Sequence, residues 1–100
     1  MMTKHIANTI LQQLGGGRFC VMVGVKFITA IKNGVSFKIM RNASKATHIR
    51  ITLQPDDTYT VEFIKCRGTT ISTVKEVENV YCDQLVELFE QTTQLNTKLY

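Results

Sequence analysis

Apolar residues recur at helical spacing at both ends of this chain and alternate with polar ones in between. Ile6, Ile10 and Leu14 stand four apart, with Ala7 and Leu11 one step round on the same stripe, which predicts a helix over Thr3 to Leu14. Thr3 is the expected cap at its start and Gly15 the left-handed stop at its end. Gly15-Gly16-Gly17 could be read as a phosphate cradle, but such a loop precedes its helix and carries a lysine and a hydroxyl at fixed spacing. Here the glycines follow a helix and enter an alternating segment, so they read as a stop and a hinge.

From Arg18 to Val77 the period is two. Phe19, Val21 and Val23, then Val25, Phe27 and Ile31, alternate with smaller or polar residues, and Gly24 reads as a bulge or a break between two short strands. Asn33-Gly34 is a hairpin signal leading into Val35, Phe37 and Ile39. A two-residue loop there would pair Ile28 with Ile39 and mix both faces. A three-residue loop, Lys32-Asn33-Gly34, pairs Ile31 with Val35 and Phe27 with Ile39, and it separates polar from apolar more cleanly. In the second hairpin Pro55-Asp56-Asp57 supplies the turn. Setting Leu53 opposite Tyr59 places Ile51 against Val61 and Arg50 against Glu62, apolar on apolar and charge on opposite charge. Thr69 to Val77, rich in threonine and valine, reads as a further strand, although Val74 and Val77 also fit a helix.

The last helix is expected from about Cys82 to Leu95, with Leu85, Leu88, Phe89, Thr92 and Leu95 on its inner stripe. Asp83 in its first turn suits the helix dipole, and Glu87 and Glu90 lie outside. The order is helix, strand meander, helix. The expectation is therefore one α+β domain over residues 1–100, an antiparallel meander of four or five strands flanked by an N-terminal and a C-terminal helix.

Charge changes this picture. All 8 acidic residues fall at or after Asp56, whereas Lys4, Arg18, Lys26, Lys32, Lys38, Arg41, Lys45 and Arg50 precede it with no carboxylate among them. A basic first half points towards a polyanionic partner. In the preferred register Lys26, Ile28, Lys38, Met40, His48, Arg50, Thr52, Thr60, Glu62 and Ile64 face outward, with Arg41 and Lys45 in the loop at the edge. Lys26, Lys38, Arg41, Lys45 and Arg50 are the candidate nucleic-acid contacts. The same face is also what any solvated antiparallel sheet needs. Every aromatic of the two hairpins then points to the core, which argues against base stacking and leaves non-specific electrostatic contact. Ile28, Met40 and Ile64 offer the alternative, an apolar patch that with the acidic outer face of the last helix would meet a protein partner or a second copy in a homodimer, or else a surface covered by a helix.

Other chemistry finds little purchase. Cys20, Cys66 and Cys82 lack metal-ligand spacing and lie far from His5 and His48, so no metal or cofactor is expected, and the thiols read as free. Cys82 opens a helix, where a thiol gains reactivity, yet no histidine stands near it in sequence, and it reads as a packed or capping residue. Asp56-Asp57 is a turn, and no nucleophile elbow or paired-histidine helix is present, so no enzymatic activity is expected. No apolar run approaches the ~20 residues of a membrane span. Asn8, Gln12 and Gln13 interrupt the first helix, which does not read as a secretory leader, and the expected location is the cytoplasm.

Ile10-Leu11-Gln12-Gln13-Leu14-Gly15-Gly16 running into Arg18-Phe19, then Met22-Val23-Gly24-Val25-Lys26, resembles the opening of small uncharacterised proteins of bacteriophages and integrated mobile elements. Val80-Tyr81-Cys82-Asp83-Gln84-Leu85, with Phe89 and Thr92-Thr93-Gln94-Leu95, resembles their closing helix, and Asp57-Thr58-Tyr59 also fits. Those proteins tend to have threonine and alanine where Val23 and Val25 flank Gly24, and a glycine where Gln94 stands. The resemblance implies an accessory protein acting around nucleic acid or host factors, and it carries over no site residues.

Overall fold

The computed structural model describes residues 2–95, with side chains from residue 6 onward. The Thr3 cap, the Lys4 charge and the His5 ring fall outside the described side chains. The elements are α1 (Met2–Leu14), α2 (Gly16–Val23), β1 (Lys26–Ile31), β2 (Gly34–Lys38), β3 (His48–Leu53), β4 (Tyr59–Arg67), β5 (Thr70–Val80), a single 3-10 turn (Cys82–Gln84) and α3 (Leu85–Thr93). The strands form one open antiparallel sheet in the order β1-β2-β3-β4-β5. This is the expected α+β meander with helices from both ends of the chain, and it has five strands.

One face of the sheet is the core. Val35, Phe37, Ile39, Ile49, Ile51, Tyr59, Val61, Phe63 and Val80 pack with Ala7, Ile10 and Leu14 of α1, Phe19 and Val23 of α2, and Leu85 and Phe89 of α3. The Tyr59 hydroxyl donates to Gln13 Oε1 at 2.8 Å, tying α1 to β4, and burial holds that phenol's pKa above its ordinary value.

Residues 16–23 correct the sequence reading, because the segment expected as a strand is helical. Gly16-Gly17-Arg18-Phe19-Cys20-Val21-Met22-Val23 ends in a nearly continuous apolar run, on which a period of two and a spacing of four are both satisfied. Packing decides between them. Phe19 and Val23, four apart, are fully buried, while Val21 between them is 79% exposed. Gly15 turns the chain from α1 into α2 at φ 128, and Gly24 closes α2 in the left-handed region at φ 67, its N–H donating to the Cys20 carbonyl. The glycines therefore join two helices and do not introduce a strand.

The first hairpin also departs from both registers considered. Ile31 pairs with Gly34, Ala30 with Val35 and Thr29 with Ser36, then the register shifts before Lys26 meets Lys38. The turn is Lys32-Asn33, with Asn33 in the left-handed position at φ 60. Gly34 serves a different need. A Cβ there would collide with the carbonyl of Ile51 on β3, so the glycine lets two strands approach. The shift falls at Phe27 and Ile28, and Phe27 itself adopts φ 55. Phe27 was expected inside and is 74% exposed.

The second hairpin is as read: Leu53 opposite Tyr59, Ile51 opposite Val61 and Arg50 opposite Glu62. Residues 70–80 form the further strand, bulged twice against β4. The last helix begins with a 3-10 turn in which Gln84 Oε1 accepts the Tyr81 N–H at 3.0 Å. Leu85, Phe89 and Thr93 are its buried stripe. Cys82 is exposed and not packed, and Cys20 and Cys66 are half-buried free thiols.

Two substitutions check these assignments. Gly34→Ala should destabilise the fold by about 3 kcal/mol, because backbone on a central strand cannot yield as a flexible side chain does; a loss under a third of that in denaturant unfolding would refute the close approach. Gln94 caps α3 in the left-handed region at φ 64, its N–H donating to the Glu90 carbonyl. Gln94→Gly should stabilise by about 1 kcal/mol, since relief of the Cβ clash outweighs one exposed side-chain hydrogen bond to Gln91.

Candidate nucleic-acid interface

In an antiparallel meander alternate connections lie at the same end of the sheet. The β2–β3 loop and the β4–β5 turn share one end, and the turns at Lys32-Asn33 and Asp56-Asp57 share the other. The charge asymmetry of the sequence is redistributed along the strands accordingly. Lys26, Lys38, Arg41 and Lys45 come to the first end, where Lys65 and Arg67 join them from the far end of β4. Asp56 and Asp57, with Glu78 near the end of β5, occupy the opposite end.

A cleft of about 690 Å³ opens at the basic end, lined by Lys38, Ile39, Met40, Arg41, Asn42, Lys45, Ala46, Thr47, Lys65, Cys66 and Arg67. Five of these are cations and none is a carboxylate. The size falls within the range of ordinary ligand pockets, and the lining combines the cations with the apolar side chains of Ile39, Met40 and Ala46.

The loop over residues 39–47 is held by hydrogen bonds that its polar residues make locally. Asn42 donates from Nδ2 to the carbonyls of Met40 at 2.9 Å and Ala46 at 2.8 Å, and its Oδ1 accepts the Ser44 N–H and hydroxyl. Lys45, at φ 67, donates its N–H to the Asn42 carbonyl. The Met40 N–H reaches the Val23 carbonyl and the Ala43 N–H the Thr93 carbonyl, both at 3.1 Å, so the ends of α2 and α3 anchor the loop. Thr47 ties it to β4: its N–H donates to the Ile64 carbonyl, and its Oγ1 accepts the Cys66 N–H at 2.9 Å. Arg41 and Lys45 thus project from a backbone already ordered, which spares part of the entropy of binding.

Of the five expected contacts, Lys38, Arg41 and Lys45 line the cleft. Lys26 pairs with Lys38 across the hairpin, next to it. Arg50 stands apart, on the row Ser36, Arg50, Glu62, Glu76 across the outer face, where its guanidinium lies 3.8 Å from Glu62. The outer face is therefore mixed in charge, and cations gather at the sheet's end. Lys65 and Arg67 were missed because they follow Asp56 in sequence, where acidic residues dominate. Pairing β3 with β4 was the available signal, since Leu53 opposite Tyr59 sends residues 65–67 past His48 to the loop. Of the apolar trio, Ile28 and Met40 are exposed, but Ile64 is 8% exposed on β4, between His48 and Thr73 of its neighbouring strands. Burial removes it from any partner patch.

Among the described residues no group of three or more histidine, cysteine, aspartate or glutamate side chains stands together as a metal site, and no helix is long and apolar enough to cross a membrane. Compared with known proteins, the chain matches no family model, no curated protein and no solved structure.

At the acidic end Asp56 Oδ1 accepts the Thr58 hydroxyl at 2.6 Å and its N–H at 3.2 Å. These two bonds to the charged form hold the Asp56 carboxyl below its ordinary pKa, against a small opposing effect of burial. A depressed folded-state pKa contributes stability that is present above the unfolded value and lost as pH falls through the folded one. Thr58→Val should raise the Asp56 pKa in an NMR titration towards that of a free carboxylate and flatten the acid limb of stability against pH. An unmoved titration would show that the turn geometry alone sets it.

Proposed function

We propose that this protein is a non-enzymatic accessory protein of a bacteriophage or mobile element that contacts nucleic acid through the basic end of its sheet. The single observation that carries the reading is the cleft framed by Lys38, Arg41, Lys45, Lys65 and Arg67 with no carboxylate in its lining. Neighbouring cations with no counter-charge repel one another, and a phosphate backbone relieves that repulsion while releasing condensed counterions. The resemblance of both chain ends to small phage and mobile-element proteins supplies the setting. Thr47 and Asn42, the polar residues between the cations, spend their hydrogen bonds on the loop itself, so the cleft is read as a binding surface rather than a catalytic one.

A second reading has its own observation. Val21, Phe27, Ile28 and Met40 are exposed apolar residues from the end of α2, from β1 and from the residues just after β2, and a protein partner or second copy would bury them.

Charge reversal at the cleft separates the two. Lys45→Glu with Arg67→Glu should weaken binding to DNA or RNA at least ten-fold and lower the slope of log affinity against log salt by about one per lost phosphate contact. Arg50→Gln should stay within about two-fold, because Glu62 already screens that guanidinium. A loss no greater per unit of charge removed at the cleft than at Arg50 would mean that affinity follows net charge and not the cleft.

A further inference from the structure

Phe27 is the most unusual residue of the fold. It carries a large aromatic ring 74% exposed, and its backbone holds φ 55, a conformation that costs a residue with a bulky side chain energy in any context. Nothing in the core requires this. The ring is not packed inside, and the Thr29 hydroxyl hydrogen bond to the Phe27 carbonyl at 3.2 Å is exposed and local. What the distortion achieves is placement: the shift in register between Lys26 and Thr29 swings the ring out beside the basic cleft. Lys26 precedes it in sequence, and the Lys38 ammonium, itself part of the cleft lining, stands 6.0 Å from the ring centroid.

We propose that Phe27 is a stacking platform for an unpaired base, so that the partner is single-stranded nucleic acid whose backbone runs across Lys38 into the cleft. The inference rests on the nucleic-acid reading above and narrows it. An exposed aromatic flanked by lysines is the combination that sequence-tolerant single-strand binders use, stacking for the base and cations for the phosphates. A duplex keeps its base faces covered and offers the ring nothing, so the ring distinguishes the two forms. Charge complementarity selects nucleic acid over an apolar protein surface as the occupant, because burying the ring against such a surface would strip water from Lys26 and Lys38 without neutralising them.

The chain contains no tryptophan, so Phe27→Trp introduces a single reporter at the proposed contact. Its fluorescence should be quenched by a short oligothymidylate and left unchanged by an abasic oligomer with the same number of phosphates. Phe27→Ala should lose roughly ten-fold in affinity for the oligothymidylate while keeping its affinity for the abasic strand and for a duplex. The ring is exposed, so this variant should melt no lower than the parent protein. If Phe27→Ala binds all three ligands as the parent does, stacking is wrong and the basic cleft stands alone. If the parent binds none of them at near-physiological salt, the nucleic-acid reading itself fails. If light scattering shows that Phe27→Ala dissolves a self-associated species without changing nucleic-acid affinity, the ring belongs to a protein contact and the proposal is overturned.

Discussion

The ring of Phe19 joins the two ends of this chain. It packs edge-on against Phe37 of β2, with centroids 5.8 Å apart, and against Phe89 of α3 at 5.1 Å. Each pair contributes about 0.5–1.5 kcal/mol beyond the area it buries. The larger consequence is geometric. With the segment after Gly15 helical, Phe19 and Val23 enter the core and Val21 between them stays outside, whereas a strand would send all three to one face. A helix ending at Gly24 places the Val23 carbonyl to receive the Met40 N–H. Phe89 in turn sets the end of α3 near the same loop, where the Thr93 carbonyl receives the Ala43 N–H. The loop that presents Arg41 and Lys45 is therefore anchored by two helices that meet through one aromatic side chain.

That dependence explains which parts of the fold were legible from the residues. The β3–β4 hairpin is specified locally, since Leu53, Ile51, Tyr59 and Val61 admit one register that puts apolar against apolar and Arg50 against Glu62. The helix at each end is specified by its own stripe. The run Phe19 to Val23 is not, because nearly continuous apolar sequence satisfies two periods and only its partners, Phe37 and Phe89, choose between them. The first hairpin misled for a related reason. Asn33-Gly34 does mark a turn, but asparagine takes the left-handed position, and the glycine answers to Ile51 on a strand seventeen residues further along the chain. A constraint imposed by a distant backbone atom leaves no local periodicity to read.

The site was legible in the same partial way. Charge along the sequence divides near Asp56, whereas charge in space divides between the two ends of the strands. The two divisions agree for Lys38, Arg41 and Lys45 and disagree for Lys32, which sits in the turn at the acidic end, and for Lys65, Arg67 and Arg50. Antiparallel order accounts for the difference: β4 starts at the acidic turn and finishes at the basic loop. Arg50, mid-strand, belongs to neither end and is claimed by Glu62.

Phe27 shows why an exposed, strained residue at this edge is compatible with a stable protein. β1 is one of two open edges of the sheet, and a regular edge strand invites pairing with another chain. A bulge interrupts the ladder there and so discourages edge pairing, whatever else it does. Blocking the edge in that way needs only a break in register, which a glycine or a polar residue at φ 55 would supply at lower cost. The presence of phenylalanine, with its ring beside the Lys38 ammonium instead of in the core, is the part that edge protection leaves unexplained. The Lys38 ammonium over that ring is a weak attraction in the free protein, about 0.5–1 kcal/mol at an exposed site, too little to offset the cost of the left-handed backbone at a bulky residue. In the single-strand reading proposed for this edge, strain at position 27 and uncompensated charge at the cleft serve one ligand, the first by presenting a ring face to a base and the second by meeting its phosphates.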